Sequence, residues 1–268
     1  MRFLADHDLH IHSQISLCSA HPEQTPANIL KYAKDNGFKH ICLTDHYWND
    51  GLYGAENFGF YRVQNYSHIA KALPLPEDAA VHFHFGCETD MDMHMRIGVT
   101  PEDYDRMAFI IVPITHLHLV NFTTESADLS PVLRAFRYVS RFYALVESGL
   151  PAGKTGIAHL TCPLLDNRVR FGNLAVIGAI PDDVYADLFK KANVKNYGIE
   201  LNFSLADMDE AQIDALLRPY RIAKDCGCRF YFGSDSHSPN GFVGKKEHFE
   251  RVIDLLGLQE TDKYKPFD

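Results

Sequence analysis

Several things are scarce in this sequence, and each scarcity removes a class of protein. Basic residues are not in excess: 26 lysines and arginines against 35 aspartates and glutamates leave a formal charge of −9. Gripping long nucleic acid needs many cations to neutralise phosphates, so no long nucleic acid is expected as a partner. No apolar run approaches the roughly 20 residues that span a bilayer. The start, Met1-Arg2-Phe3-Leu4-Ala5-Asp6-His7, has no apolar signal-peptide core. A cytoplasmic protein without membrane contact is therefore expected. Cysteine is sparse and scattered, at positions 18, 42, 87, 162, 226 and 228. Cys226-Gly227-Cys228 lacks the CxxC spacing of a redox or zinc-ribbon motif, so free thiols are expected. There is no GxSxG elbow, no GxxxxGK[ST] phosphate loop, no GxGxxG fingerprint and no internal repeat.

What remains is an ordinary folded composition, 46% hydrophobic and 23% charged over 268 residues, which suits one domain spanning 1–268. Short apolar runs alternate with longer segments of helical period, the pattern of βα units around a parallel sheet. Seven strands are predicted: Asp8 to His12, His40 to Thr44, Val81 to Glu88, Phe109 to Thr115, Gly156 to Leu160, Tyr197 to Phe203 and Arg229 to Asp235. Thr25-Pro26 reads as a helix start with Gly37 as its stop, and Pro181-Asp182-Asp183 puts carboxylates in a first turn. Helices are predicted over Pro131 to Glu147, Asp209 to Asp225 and Lys246 to Leu256. The longest irregular stretch, Tyr47 to Tyr66, is rich in Gly, Asn and aromatics and reads as a lid or pocket wall, or as a solvated excursion.

The chemistry lies at the strand ends. Residues two apart on a strand share a face, so His10 and His12 point the same way. The second strand runs into Asp45-His46, the third into Glu88, the fourth into His116, the fifth into His159 and the seventh into Asp235-Ser236-His237. The C-terminal ends of parallel barrel strands open onto one face, where catalytic groups collect. Imidazoles mixed with carboxylates suit zinc, iron or manganese better than calcium or magnesium. His10, His12, His46, Glu88, His116, His159, Asp235 and His237 are too many for one tetrahedral ion, so two or three divalent ions are expected, with Glu88 as a candidate bridge. Such a centre lowers the pKa of bound water and neutralises phosphate oxygens, so hydrolysis needs no side-chain nucleophile.

At Asp8-Leu9-His10-Ile11-His12-Ser13, Thr44-Asp45-His46 and Gly233-Ser234-Asp235-Ser236-His237, the chain resembles the PHP (polymerase and histidinol phosphatase) superfamily of metal-dependent phosphoesterases over nearly its whole length. The resemblance implies a distorted (β/α)7 barrel of TIM-like type, a two- or three-metal centre and hydrolysis of a small phosphomonoester or related phosphodiester, as in histidinol phosphatases. It implies that His10, His12, Glu88 and Asp235 hold the first, catalytic metal. Glu88 would bridge to the second with His116 and His159, and His46 and His237 would hold a third ion. Relatives commonly place an Asp or His five or six residues after the HxH pair. Here Ser16, Leu17 and Cys18 occupy the region, so Cys18 is the candidate third-site ligand, with His21 as the alternative. The Cys-Pro-His-Gly-like continuation of histidinol phosphatases is absent.

Arg96, Arg168 and Arg170 are candidates for binding a substrate phosphate, with solvated surface charge as the plainer reading of each. His82 and His84 share parity with Glu88 and read as partners of the ligands or as structural histidines. His118 is an alternative to His116, and Glu200 reads as a second contact at the site or as a closing residue of the barrel. Two rivals stand beside phosphoester hydrolysis. One is an amidohydrolase-type enzyme cleaving a C–N bond, which favours eight strands and a bridging lysine. The other is a non-catalytic module that keeps the fold and has lost turnover.

Overall fold

The computed structural model describes residues 1–19 and 21–267. Its strands are β1 (His7–Ile11), β2 (His40–Leu43), β3 (His46–Tyr47), β4 (His82–Phe85), β5 (Cys87–Thr89), β6 (Ile110–Pro113), β7 (Thr155–Ala158), β8 (Gly198–Leu201) and β9 (Phe230–Phe232). The helices are α1 (Pro26–Asp35), α2 (Gly59–Arg62), α3 (Tyr66–Ile69), α4 (Pro101–Tyr104), α5 (Pro131–Glu147), α6 (Gly172–Gly178), α7 (Asp182–Val194), α8 (Glu210–Asp225) and α9 (Lys245–Leu256). The strands pair in parallel, in the orders β1-β2-β4 and β3-β5-β6-β7-β8-β9. Beyond β9 the ring closes on β1: Asp235 N donates to His10 O at 2.7 Å and His12 N to Ser236 O at 3.1 Å. This is the expected distorted barrel of seven βα units.

The expected strand from Val81 to Glu88 is interrupted with a visible cause, and the second expected strand is followed after a gap by a further short strand, β3. His82–Phe85 runs along β2, with Gly86 N still donating to Leu43 O, whereas Cys87 N donates to Phe109 O beside β6. The chain switches partners at Gly86, where a Cβ would lie 2.4 Å from Phe109 O, so only glycine permits the approach. β2 stops at Leu43, and β3 begins at His46 against Glu88. The helices follow their signals closely. Thr25 Oγ1 accepts from Asn28 N at 3.2 Å at the start of α1, and Asp209 and Gln212 form a reciprocal capping box at α8.

The core is the apolar set behind the strands and on the inner faces of the outer helices. The 47–66 excursion has a small core of its own, Trp48, Ala55 and Tyr61 packed with Phe122. It is a wall over the C-terminal ends of the strands. Among the described residues no helix is long and apolar enough to cross a membrane.

Candidate metal centre

His10 lies on β1 and His12 just past its end, Glu88 is mid-β5, and His116, His159, Asp235 and His237 follow β6, β7 and β9. Local backbone aims some of them. His159 has φ 28° and Asp235 φ 50°, left-handed conformations that side chains rarely adopt and that persist only where the surroundings enforce them. Asp45 accepts from Ser13 N at 2.7 Å and from Ser13 Oγ at 2.6 Å, which pins the chain just beyond the HxH pair.

Four groups of ligand-type atoms result among the described residues: His10, His12, Glu88 and Asp235; Glu88, His116 and His159; His12, Cys18, His46 and His237; and, behind the first, His10, His159 and Glu200. In the first, His10 Nε2 lies 3.1 Å from His12 Nε2, 3.3 Å from Glu88 Oε2 and 3.4 Å from Asp235 Oδ1. His12 Nε2 lies 3.2 Å from the same glutamate oxygen and 3.1 Å from the same aspartate oxygen. A tetrahedron with bonds of about 2.0–2.1 Å has edges of about 3.3–3.4 Å, so these spacings fit one ion at their centre. Converged lone pairs also repel unless a cation or protons sit between them. The donor set therefore fits a metal.

Glu88 divides its two oxygens. Oε2 faces His10, His12 and His46 Nδ1, the last at 3.2 Å. Oε1 faces His159 Nε2 at 3.3 Å and His116 Nε2 at 3.8 Å. Each nitrogen turned away from the centre has a partner that sets the tautomer in most of these rings. His10 Nδ1 lies 2.7 Å from Glu200 Oε1, His159 Nδ1 lies 2.7 Å from Thr115 Oγ1, and His237 Nδ1 lies 2.8 Å from Asp235 O. His116 Nδ1 meets Asp90 Oδ2 at 2.8 Å, and Tyr61 OH donates to the same oxygen. His12 is the exception: its buried Nδ1 has no hydrogen-bond partner and stands 4.0 Å from Asp45 Oδ1.

In the metal-free protein, protons gather at the first group, whereas burial keeps His46 and His237 below the usual histidine value. Burial opposes charging His10 and His12, but Glu200, Asp235 and Glu88 outweigh it at His10, holding it well above its usual value, and Asp235 and Glu88 hold His12 at about 9. Burial likewise opposes ionisation of Glu88, yet His46, His10 and His12 hold it well below the carboxylate range. Desolvation beside Glu88 and Asp235 pushes the Cys18 thiol up to about 12. A bound metal would displace these protons.

Other expected residues fall elsewhere. His21 is outside the groups; its Nδ1 accepts from Glu23 N. His82 and His84 do not reach the centre, because the break at Gly86 ends their parity with Glu88. His84 instead stacks on Phe267 at 3.5 Å and meets His40 at 3.1 Å. The mouth above the groups is a cleft of about 210 Å³ lined by Phe60, Tyr61, His118, Leu119 and Leu164 beside the ligand atoms. Arg96, Arg168 and Arg170 do not line it. Each is held by a carboxylate, Asp92 at 2.7 Å, Asp166 at 2.7 Å and Asp207 at 2.9 Å respectively. Sequence reasoning passed over Asp90, although it shares parity with Glu88. It also passed over Arg141, whose position among Tyr138, Phe142 and Leu145 on the buried face of α5 marks a cation that must have an internal partner.

No curated protein sequence matches the chain. Among solved structures it is similar to a histidinol phosphate phosphatase from Lactococcus lactis, crystallised with zinc, L-histidinol and phosphate. The identity is 15%, the TM-score 0.58, and the match covers 97% of this chain and 99% of that one. A probable 2-pyrone-4,6-dicarboxylic acid hydrolase from Acinetobacter baumannii, with citric acid bound, is more distant: 10% identity, TM-score 0.42, covering 97% and 94%. The PHP domain model matches residues 8–204, the span from the HxH strand past β8, and on that match the chain belongs to the PHP domain family.

Proposed function

We propose that the chain, acting as one unit over 1–268 in the cytoplasm, is a metal-dependent phosphoesterase that hydrolyses a small phosphomonoester or related phosphodiester. The divided carboxylate of Glu88 carries this reading: one oxygen serves the His10, His12 and Asp235 group and the other serves His116 and His159. A carboxylate shared in this way suits two ions held close together. His10, His12, Glu88 and Asp235 would hold the first; Glu88, His116 and His159 the second; Cys18, His46 and His237 the third. The ions would activate water and neutralise the phosphate oxygens. The histidines with one thiol favour zinc, with manganese or iron as the other candidates.

The side chains do the positioning. Glu200 fixes the His10 ring through Nδ1, and Asp90 does the same for His116. Phe60, Leu119 and Leu164 give the mouth an apolar rim. Membership of the PHP family and the fold shared with a zinc-containing phosphatase agree with this assignment. The amidohydrolase-type rival loses support because a glutamate, and no lysine, occupies the shared position between the groups. A module without turnover would have little reason to keep every group filled.

The test is phosphate release from a panel of phosphomonoesters by protein loaded with zinc or manganese, against a chelated control. Metal-dependent release is expected. Glu88→Gln should lower bound metal by about one ion per chain and turnover by at least ~100-fold, because the remaining ligands leave each group incomplete. Unchanged metal and turnover in that variant would sink the bridging role. Metal-loaded protein that frees no phosphate would point to C–N cleavage.

A further inference from the structure

If the chemistry is phosphoester hydrolysis, the wall of the cleft bears on what the phosphate is attached to. Above the ligand atoms stand Phe60, Leu119 and Leu164, with His118 beside them. No lysine or arginine lines the cleft among the described residues. The nearby arginines are neutralised by Asp92, Asp166 and Asp207. No carboxylate lines it except the ligands Glu88 and Asp235.

Charge at the floor points the same way. Three divalent ions would bring six positive charges. Glu88, Asp235, a Cys18 thiolate and Glu200, in contact with His10, set four negative charges against them. The remainder, lowered further by the hydroxide that attacks, is used up by the two charges of the phosphate monoester itself. A second anionic group on the substrate would find no counter-charge, and a cationic one would find no unused carboxylate. A charge placed against this apolar wall would lose its hydration without compensation. Size sets the other limit. An apolar cavity of about 150 Å³ takes one benzene, so the cleft of about 210 Å³ covers a group of about one ring.

We infer that the substrate is the phosphate ester of a small, uncharged alcohol or phenol whose apolar face rests on Phe60, Leu119 and Leu164. Bisphosphates and esters of charged amines or acids fall outside this class.

The test uses the full chain loaded with zinc. kcat/KM is measured for phenyl phosphate and for its 4-carboxy and 4-aminomethyl derivatives, and binding of the three matching phosphonates, which cannot be hydrolysed, is measured by calorimetry. Phenyl phosphate should lead both charged esters by at least ~10-fold, and phenylphosphonate should bind tighter by a similar factor, since only the charged groups lose hydration uncompensated. Leu164 is half-buried at the mouth of the cleft. Leu164→Arg should narrow the gap for the carboxylated pair several-fold, about the effect of supplying one counter-charge, without helping the aminomethyl pair.

Charged esters used as well as the neutral one, or better, would overturn the inference while leaving the phosphoesterase intact. Preferential binding of phenylphosphonate without turnover would uphold the class of ligand and overturn hydrolysis. Absence of both turnover and phosphonate binding would overturn the two together. These comparisons on the unaltered chain stand even if the Leu164 variant does not fold.

Discussion

Asp90 sits between two partners, taking His116 Nδ1 at 2.8 Å on one oxygen and Arg141 Nη2 at 2.7 Å on the other, and both it and Arg141 are fully buried. Arg141 also donates to the carbonyls of Pro113 and Ile114, so its position is set by the end of β6. Removing one member of a buried pair strands the other. Arg141→Met should therefore cost about 3–5 kcal/mol in denaturant unfolding of the chelated protein, and Asp90→Asn combined with it should recover much of that loss. A cost under about 1 kcal/mol would show that the pair is not needed. Asp8 poses a different balance. Burial pushes its carboxyl up to about 6, against the opposing hydrogen bonds from Ser234 and Tyr32. Between its ordinary value near 3.8 and about 6, the folded chain then holds more protons than the unfolded one, so stability falls as pH rises through that window. Asp8→Asn should remove about 1–2 kcal/mol of the decline between pH 5 and pH 8. A variant with the same decline as the parent would refute this.

At the scale of elements, the site depends on how closely three strands approach. Gly233 follows β9 at a point where a Cβ would lie 2.0 Å from Glu200 Oε1 on β8 and 2.5 Å from His10 Cβ on β1. Gly233→Ala must push β8 or β1 outward and pull Glu200 off His10. It should destabilise the fold by about 1–3 kcal/mol, as overpacked cores do, and weaken zinc binding by about 10–100-fold, as loss of a histidine's outer partner does. Chelator competition measures the second effect, and an unaltered zinc affinity would separate Gly233 from the centre. The interrupted strand shows why expected element ends were long. Apolar composition runs straight through Gly86, but hydrogen bonding changes neighbour there. The identities of the break residues come from contacts with Leu43 and Phe109, which no local pattern contains.

For the whole molecule, the proposed ligands join elements far apart in sequence: β1, β5, the segments after β6 and β7, and the one after β9. A ligand bound only by the folded state stabilises it by mass action. Zinc at about 100 times its Kd should add about 2.7 kcal/mol, a rise in melting temperature of roughly 5–10 °C for a chain of this size. Chelator should reverse it. A melting temperature indifferent to both would mean that the centre does not bind metal in the native protein. Because His10 and His12 hold protons strongly when metal-free, the zinc effect should shrink as pH falls below the value near 9 held by His12.

Residue order and spacing alone determined that His10, His12, His46, Glu88, His116, His159, Asp235 and His237 would meet on one face. Alternation along a strand and the shared direction of parallel strands are short-range rules, and both can be read from a linear string. The same rules placed the seven βα units and most helix starts. Tertiary structure decided the rest: which oxygen of Glu88 faces which histidine, that Cys18 and not His21 joins His46 and His237, and that His84 stacks on Phe267 and His82 on His40 instead. It also gave Arg96, Arg168 and Arg170 to nearby aspartates and placed Asp90 between Arg141 and His116. These outcomes depend on through-space distances of a few ångströms, many between segments dozens of residues apart, and that information arises only when the barrel closes.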